Sequence, residues 1–265
     1  MRKTIGDLSI NYSIDGDGPP LVLMHGAGAD LISWEEMIPG LAAHFTVYAY
    51  DQRGFGQTRS PDSPALALDV WTQDLLLFLD AMELDSPILV GWSLGGCVVL
   101  DFACEHPERT GIVIPIGCRG PHREERDLSG FQKRMELAES GASAEEMIDA
   151  TFDFTKKAFS RWTREHHPQG VQKIRDMLVR NNPRHYAQMV HALDGASDFG
   201  PKLSRLRAQV FIICGTEDGR TPPHMSRALH AAIPGSSLSM LPDCGHYYPY
   251  EKPAETNRLI LEYLL

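Results

Sequence analysis

The chain has 265 residues, 43% of them apolar and 23% charged, the make-up of an ordinary soluble globular protein. Its 25 Lys and Arg against 35 Asp and Glu leave a formal net charge of −10. That balance argues against binding nucleic acid or docking on an anionic membrane, because both need a basic face. The five cysteines are an odd number without C-x-x-C spacing, so they read as small core residues of a reduced, cytoplasmic protein. The start MRKTIGDLSI has no apolar run after Arg2 and Lys3, so no signal peptide is expected. No run of about 18 apolar residues marks a membrane span.

In chain order, residues 3–14 alternate and meet the turn Asp15-Gly16-Asp17-Gly18-Pro19-Pro20, which predicts an antiparallel edge hairpin. Short runs rich in Val and Ile at 21–24, 46–50, 87–91, 112–116 and 209–214 predict buried parallel strands. Helical patterns lie between and after them, near 31–43, 66–83, 94–105, 223–232 and 253–264. In the second, Val70, Leu75, Leu76, Leu79 and Met82 recur at helical spacing. The alternation predicts an α/β, doubly wound, mostly parallel sheet with helices on both faces. Residues 119–205 break the rhythm: they hold no convincing strand, and helical patterns near 127–140, 143–160, 168–181 and 184–194 are punctuated by Pro121, Pro168, Pro183 and Pro201. A helical cap inserted after the sixth strand is expected there. It would cover the C-terminal sheet edge, where open α/β sheets bind ligands, above a core made of 1–118 and 206–265.

The chemistry starts at Gly91-Trp92-Ser93-Leu94-Gly95. This G-x-S-x-G follows a strand pattern and opens a helix pattern, the context in which a sharp turn presents a serine. An alcohol is a weak nucleophile unless a base stands beside it, and the flanking glycines let neighbouring backbone pass where a Cβ would block it. Among 11 histidines, His246 stands out. It lies in a loop after the strand pattern LSML and before Tyr247-Tyr248-Pro249-Tyr250, and only imidazole titrates readily near neutrality. Asp218, just past strand 209–214, is the acid expected to orient it, with Glu217 its immediate competitor; G-x-x-D-x-x-x-P (Gly215, Asp218, Pro222) favours Asp218.

Taken in order, His25-Gly26-Ala27-Gly28, Asp51-Gln52-Arg53-Gly54-Phe55-Gly56, the Ser93 turn, Gly215-Thr216-Glu217-Asp218 and Gly245-His246 resemble the α/β-hydrolase fold family over essentially the whole chain. The C-terminal part is most similar to small bacterial serine esterases and lactonases of the enol-lactone hydrolase type. The resemblance implies about eight strands and the catalytic order Ser93, Asp218, His246. It also implies an oxyanion hole from the backbone N–H groups of Ala27 and Leu94. His25, Asp51, Arg53 and Gly54 are expected to brace loops. Trp92, Trp34, Arg119 and Tyr247 are the expected pocket residues.

The expected activity is hydrolysis of a small carboxylic ester or lactone through an acyl-enzyme. No metal or organic cofactor enters it, and the partner is a small-molecule substrate. Alternatives with the same triad are C–C bond hydrolysis of ring-fission diketones, with Arg119, Arg123 and Arg161 as carboxylate binders, or perhydrolysis. A receptor-like ligand binder is a further alternative. Halide or epoxide chemistry on this fold normally needs Asp where Ser93 stands. No coiled-coil heptad specifies an assembly, so monomer and homodimer both stay open.

Overall fold

The structure, a computed structural model, describes residues 1–61, 66–121, 128–195 and 200–265. Eight strands, β1 (Arg2–Ile5), β2 (Leu8–Asp15), β3 (Pro20–Met24), β4 (Thr46–Tyr50), β5 (Ile88–Trp92), β6 (Ile112–Ile116), β7 (Gln209–Gly215) and β8 (Ser237–Leu241), form one sheet. Their order is β1-β2-β4-β3-β5-β6-β7-β8. The pairs β1–β2 and β2–β4 are antiparallel and the rest are parallel. This is the doubly wound α/β sheet expected from the alternating pattern. Leu21–Met24 and Leu89–Trp92 are buried on both faces, which is why those strands read as continuous apolar runs.

The edge hairpin exists, but it turns at Gly6-Asp7, where Ile5 pairs with Leu8. Gly6 takes φ +57°, as a two-residue hairpin loop requires. The stretch Asp15–Pro20 instead carries the chain from β2 to β3, which inserts between β4 and β5.

The core helices are α1 (Ile38–Ala42), α2 (Leu68–Ala81) and α3 (Leu94–Glu105). The helix expected over 31–43 is broken into a 3-10 turn, Leu31–Trp34, and α1. Pro39 is the cause: without an N–H it sits only in a first helical turn, so the helix restarts there. Every residue of α3 from Leu94 to Cys104 is buried, as befits a helix that is apolar nearly all round.

Between β6 and β7 run α4 (Ser129–Glu139), α5 (Ala144–Asp149), α6 (Phe152–Lys156), α7 (Arg161–His166), α8 (Pro168–Val179), α9 (Pro183–Gly195) and α10 (Gly200–Leu203). The single helix expected over 143–160 forms as two. The Thr151 hydroxyl donates to the Met147 and Ile148 carbonyls, and Thr151 leaves helical geometry at φ −123°. The chain closes with α11 (Pro223–Ala232), α12 (Tyr248–Glu251) and α13 (Pro253–Leu264). Among the described residues no helix is long and apolar enough to cross a membrane. All five cysteines are free and buried.

Candidate active site

Parallel strands put all their C-terminal ends on one rim, and five of those ends, of β3, β4, β5, β7 and β8, carry the residues singled out above. At the end of β5, Ser93 adopts φ +55° and ψ −112°, a conformation that costs a non-glycine residue energy and persists only where the surroundings hold it. Two glycines make that turn possible. A Cβ on Gly91 would stand 2.2 Å from the Gly95 carbonyl oxygen, and one on Gly95 would stand 2.1 Å from that of Met24. Both are closer than atoms can pack.

β7 ends at Gly215, and the turn beyond it delivers Asp218. The segment after β8 delivers His246. The imidazole bridges the two other groups: Nε2 is 3.0 Å from Ser93 Oγ, and Nδ1 is 2.8 Å from Asp218 Oδ2. The carboxylate sets the tautomer, because it can only accept, so Nδ1 carries the proton and Nε2 is left to accept from the serine hydroxyl.

Asp218 is buried and fully engaged. It accepts from the Arg220 and Thr221 N–H groups, both 2.8 Å, and from the Tyr248 hydroxyl at 2.9 Å. The Thr221 hydroxyl lies 2.9 Å from Oδ2. Burial pushes its carboxyl pKa up, but the imidazole's charge and these hydrogen bonds outweigh it and hold the group below the ordinary 3.8. The competitor, Glu217, is exposed and accepts from the Arg161 N–H at 2.6 Å, away from His246.

The loop of His246 is tied down from three sides. Trp92 Nε1 donates to the His246 carbonyl at 2.7 Å. The His246 N–H donates to Ala158 O at 2.7 Å. Buried Glu251 accepts from the N–H groups of Gly245, Tyr247 and Ser160 at 3.1, 3.1 and 2.8 Å. Sequence reasoning identified neither Glu251 nor the Tyr248 contact. A run of aromatic residues followed by Glu-Lys-Pro looks like packing until the loop folds back on its own carboxylate.

The His25–Gly28 loop lies against the serine: a Cβ on Gly26 would be 3.2 Å from Ser93 Cβ. Among the described residues, the N–H groups of Ala27 and Leu94 donate to no protein acceptor. His25 is fully buried and used up structurally. Its Nδ1 lies 2.9 Å from Gly26 O and its Nε2 accepts the Gln52 N–H at 3.0 Å, while burial lowers its pKa and favours the neutral ring. Asp51 receives the N–H groups of Leu31 and Gln57 at 2.7 and 2.6 Å. Arg53 pairs with Asp7 and Asp74 at 2.8 Å each.

A cavity of about 80 Å³ opens over Ser93. Trp92, Arg119 and Tyr247, expected as pocket residues, line it. Trp34 does not. It is wholly buried behind Trp92, ring edge to ring at 6.5 Å. Tyr248 turns inward to Asp218 instead of toward the cavity. Arg161 lies outside as well, exposed and paired with Glu165 at 2.8 Å, and Arg123 falls outside the described residues. Two lining arginines escaped the sequence reading: Arg134 from α4 and Arg220, stacked over the Phe154 ring at 3.4 Å. Among the described residues no cluster of His, Cys, Asp and Glu is arranged to hold a metal ion.

Sheet order and site geometry place the chain in a known class: residues 21–259 match the alpha/beta hydrolase family, and the chain belongs to it. It is 26% identical to the 2-hydroxy-6-oxo-6-phenylhexa-2,4-dienoate hydrolase of Burkholderia cepacia, covering 99% of this chain and 93% of that one. It is 28% identical to the 3-oxoadipate enol-lactonase 2 of Acinetobacter baylyi, over 97% and 93% of the two chains. Its fold is similar to the crystal structure of the enol-lactonase from Burkholderia xenovorans, with TM-score 0.89, 24% identity and coverage of 100% and 99%.

Proposed function

We propose that the protein is a serine hydrolase that cleaves a small carboxylic ester or lactone through an acyl-enzyme. One observation carries the reading: a strained serine, 3.0 Å from an imidazole nitrogen whose other nitrogen is 2.8 Å from a buried carboxylate. Ser93 Oγ attacks the carbonyl while His246 Nε2 takes its proton. The tetrahedral oxyanion is held by the N–H groups of Ala27 and Leu94, each such donor being worth about 2.7–4 kcal/mol in a transition state. His246 then protonates the leaving alkoxide. Water, deprotonated by the same nitrogen, releases the acid. Asp218 stays ionised and keeps the imidazole in the required tautomer. The helices of 119–205 act as the cap that closes this site, and the buried free thiols fit a reducing, cytoplasmic setting.

A second reading, hydrolysis of a C–C bond in a ring-fission diketone, draws on the relatives named as dienoate hydrolases. Assays with 4-nitrophenyl esters, enol-lactones and a ring-fission diketone separate the two. Ser93→Ala is expected to fold normally, to lose labelling by a fluorophosphonate, and to lose about 10⁶-fold in kcat, as removal of a serine nucleophile does elsewhere. A folded Ser93→Ala protein with wild-type turnover would overturn the assignment.

A further inference from the structure

We propose that Arg134 forms an anion-binding subsite in the cavity over Ser93, so that the substrate carries a carboxylate in addition to its scissile group. The inference builds on the reading of Ser93 as nucleophile and says which small molecules that serine meets.

Arg134 is only 2% exposed, yet it lines the same cavity as Ser93 and His246. A guanidinium cannot shed its proton inside a protein, so a buried one keeps its charge and needs an anion or a full set of acceptors. Arg134 has neither. Nε donates to Thr151 Oγ1 at 2.6 Å and Nη1 to Tyr186 Oη at 2.6 Å, and Nη2 donates to Thr155 Oγ1. The rings of Tyr186 and Phe131 lie 5.5 and 6.0 Å from its central carbon. These partners are all neutral, and three hydrogen bonds leave two of its five N–H groups over. Among the described residues it meets no carboxylate.

Tyr186 points the same way. Its oxygen accepts from Arg134, so its own proton must go to another acceptor; none appears among the described residues, and the ring lines the cavity. Arg134 and Tyr186 thus offer a guanidinium and a hydroxyl to one ligand. Arg119 and Arg220 also line the cavity, whereas no Asp or Glu does among the described residues, in a chain whose net charge is −10. A carboxylate fits best, because its two oxygens match the planar guanidinium. The carbon chain between it and the carbonyl would pack on Phe131 and Leu178, which line the same cavity.

The test compares kcat/KM for 4-nitrophenyl monoesters of succinate, glutarate and adipate with 4-nitrophenyl esters of the matching monocarboxylic acids. Wild type is expected to favour the anionic ester by about tenfold or more at one chain length. Arg134→Gln should lower the anionic-to-neutral ratio by about 10- to 100-fold, the range for losing hydrogen bonds to a charged group. Arg134→Lys should keep part of the preference, and Tyr186→Phe should lower it by a smaller factor without removing the charge. A purely structural Arg134 would depress both ester series alike, and that result, or no anionic preference in wild type at any length, overturns the proposal. Calorimetry of glutarate and adipate on Ser93→Ala, with and without Arg134→Gln, separates the two readings. Binding that depends on Arg134 supports the subsite even if no ester is turned over, whereas absence of binding overturns it even if Ser93 proves to be the nucleophile.

Discussion

Arg53 and Arg134 are both buried guanidinium groups, one in the sheet core and one in the helical insert, and they are partnered in opposite ways. Arg53 holds two carboxylates, Asp7 on the edge hairpin and Asp74 on α2, and its backbone carbonyl accepts from Trp71 Nε1 at 3.1 Å. Three segments meet on it, and its charge is neutralised inside the chain. Among the described residues, Arg134 ties α4 to Thr151, Thr155 and Tyr186 through hydroxyls alone. A charge balanced internally has no need of a ligand. One without a carboxylate partner among the described residues, lining the same cavity as Ser93, has a reason to meet one.

Arg53→Met should show the largest effect on stability. It strands the buried Asp74 carboxylate without its cation, and breaking one side of such a pair costs about 3–5 kcal/mol. Urea unfolding measures it, and a cost under about 1 kcal/mol would break the comparison. Arg134→Met strands no acid, only hydroxyls that have lost a donor, so its cost is expected to stay below about 2 kcal/mol. Were it to match Arg53→Met, the insert's arginine would be as structural as the core's.

The smallest effect is in the pH dependence. Hydrogen bonds from Arg53, against a lesser burial penalty, hold the Asp7 carboxyl below its ordinary 3.8. A depressed carboxyl adds stability that is complete above the unfolded value and fades as pH falls through the lower folded one. The stability gap between wild type and Arg53→Met should therefore narrow once the pH drops below about 3.8, while the gap to Arg134→Met, whose partners are hydroxyls, should not follow it. Unfolding midpoints across pH 7 to 3 supply the comparison.

How much was legible differs between the two regions for the same reason. The turn at Ser93 is a local device: strand, two small residues at close approaches and helix all sit within a few positions, so the sequence pattern displays it. Asp218 and His246 follow strand ends, and their spacing from glycines marks them. Arg134 shows no such mark. It stands in the charged run Gln132-Lys133-Arg134-Met135-Glu136 beside Lys133, which pairs on the surface with Glu136 at 3.2 Å, and nothing in the run says which cation turns inward. That is settled by Thr151, Thr155 and Tyr186, 17 to 52 positions away. Trp34 shows the converse. A tryptophan near the His25–Gly28 loop reads as a pocket wall until Trp92 occupies that place in front of it.

The amino-acid order by itself determined the alternation of strand and helix, the strained serine turn, the sequence positions of the acid and the imidazole, and the existence of a helical insert. Those features depend on side-chain period and backbone sterics over short stretches. Only the tertiary structure decided that β3 enters between β4 and β5, that Tyr248 and Glu251 brace the acid and the histidine loop, and that a buried arginine lines the same cavity as the serine. Each of these joins residues far apart in the chain, and burial and hydrogen-bond partners exist only once the chain has closed on itself.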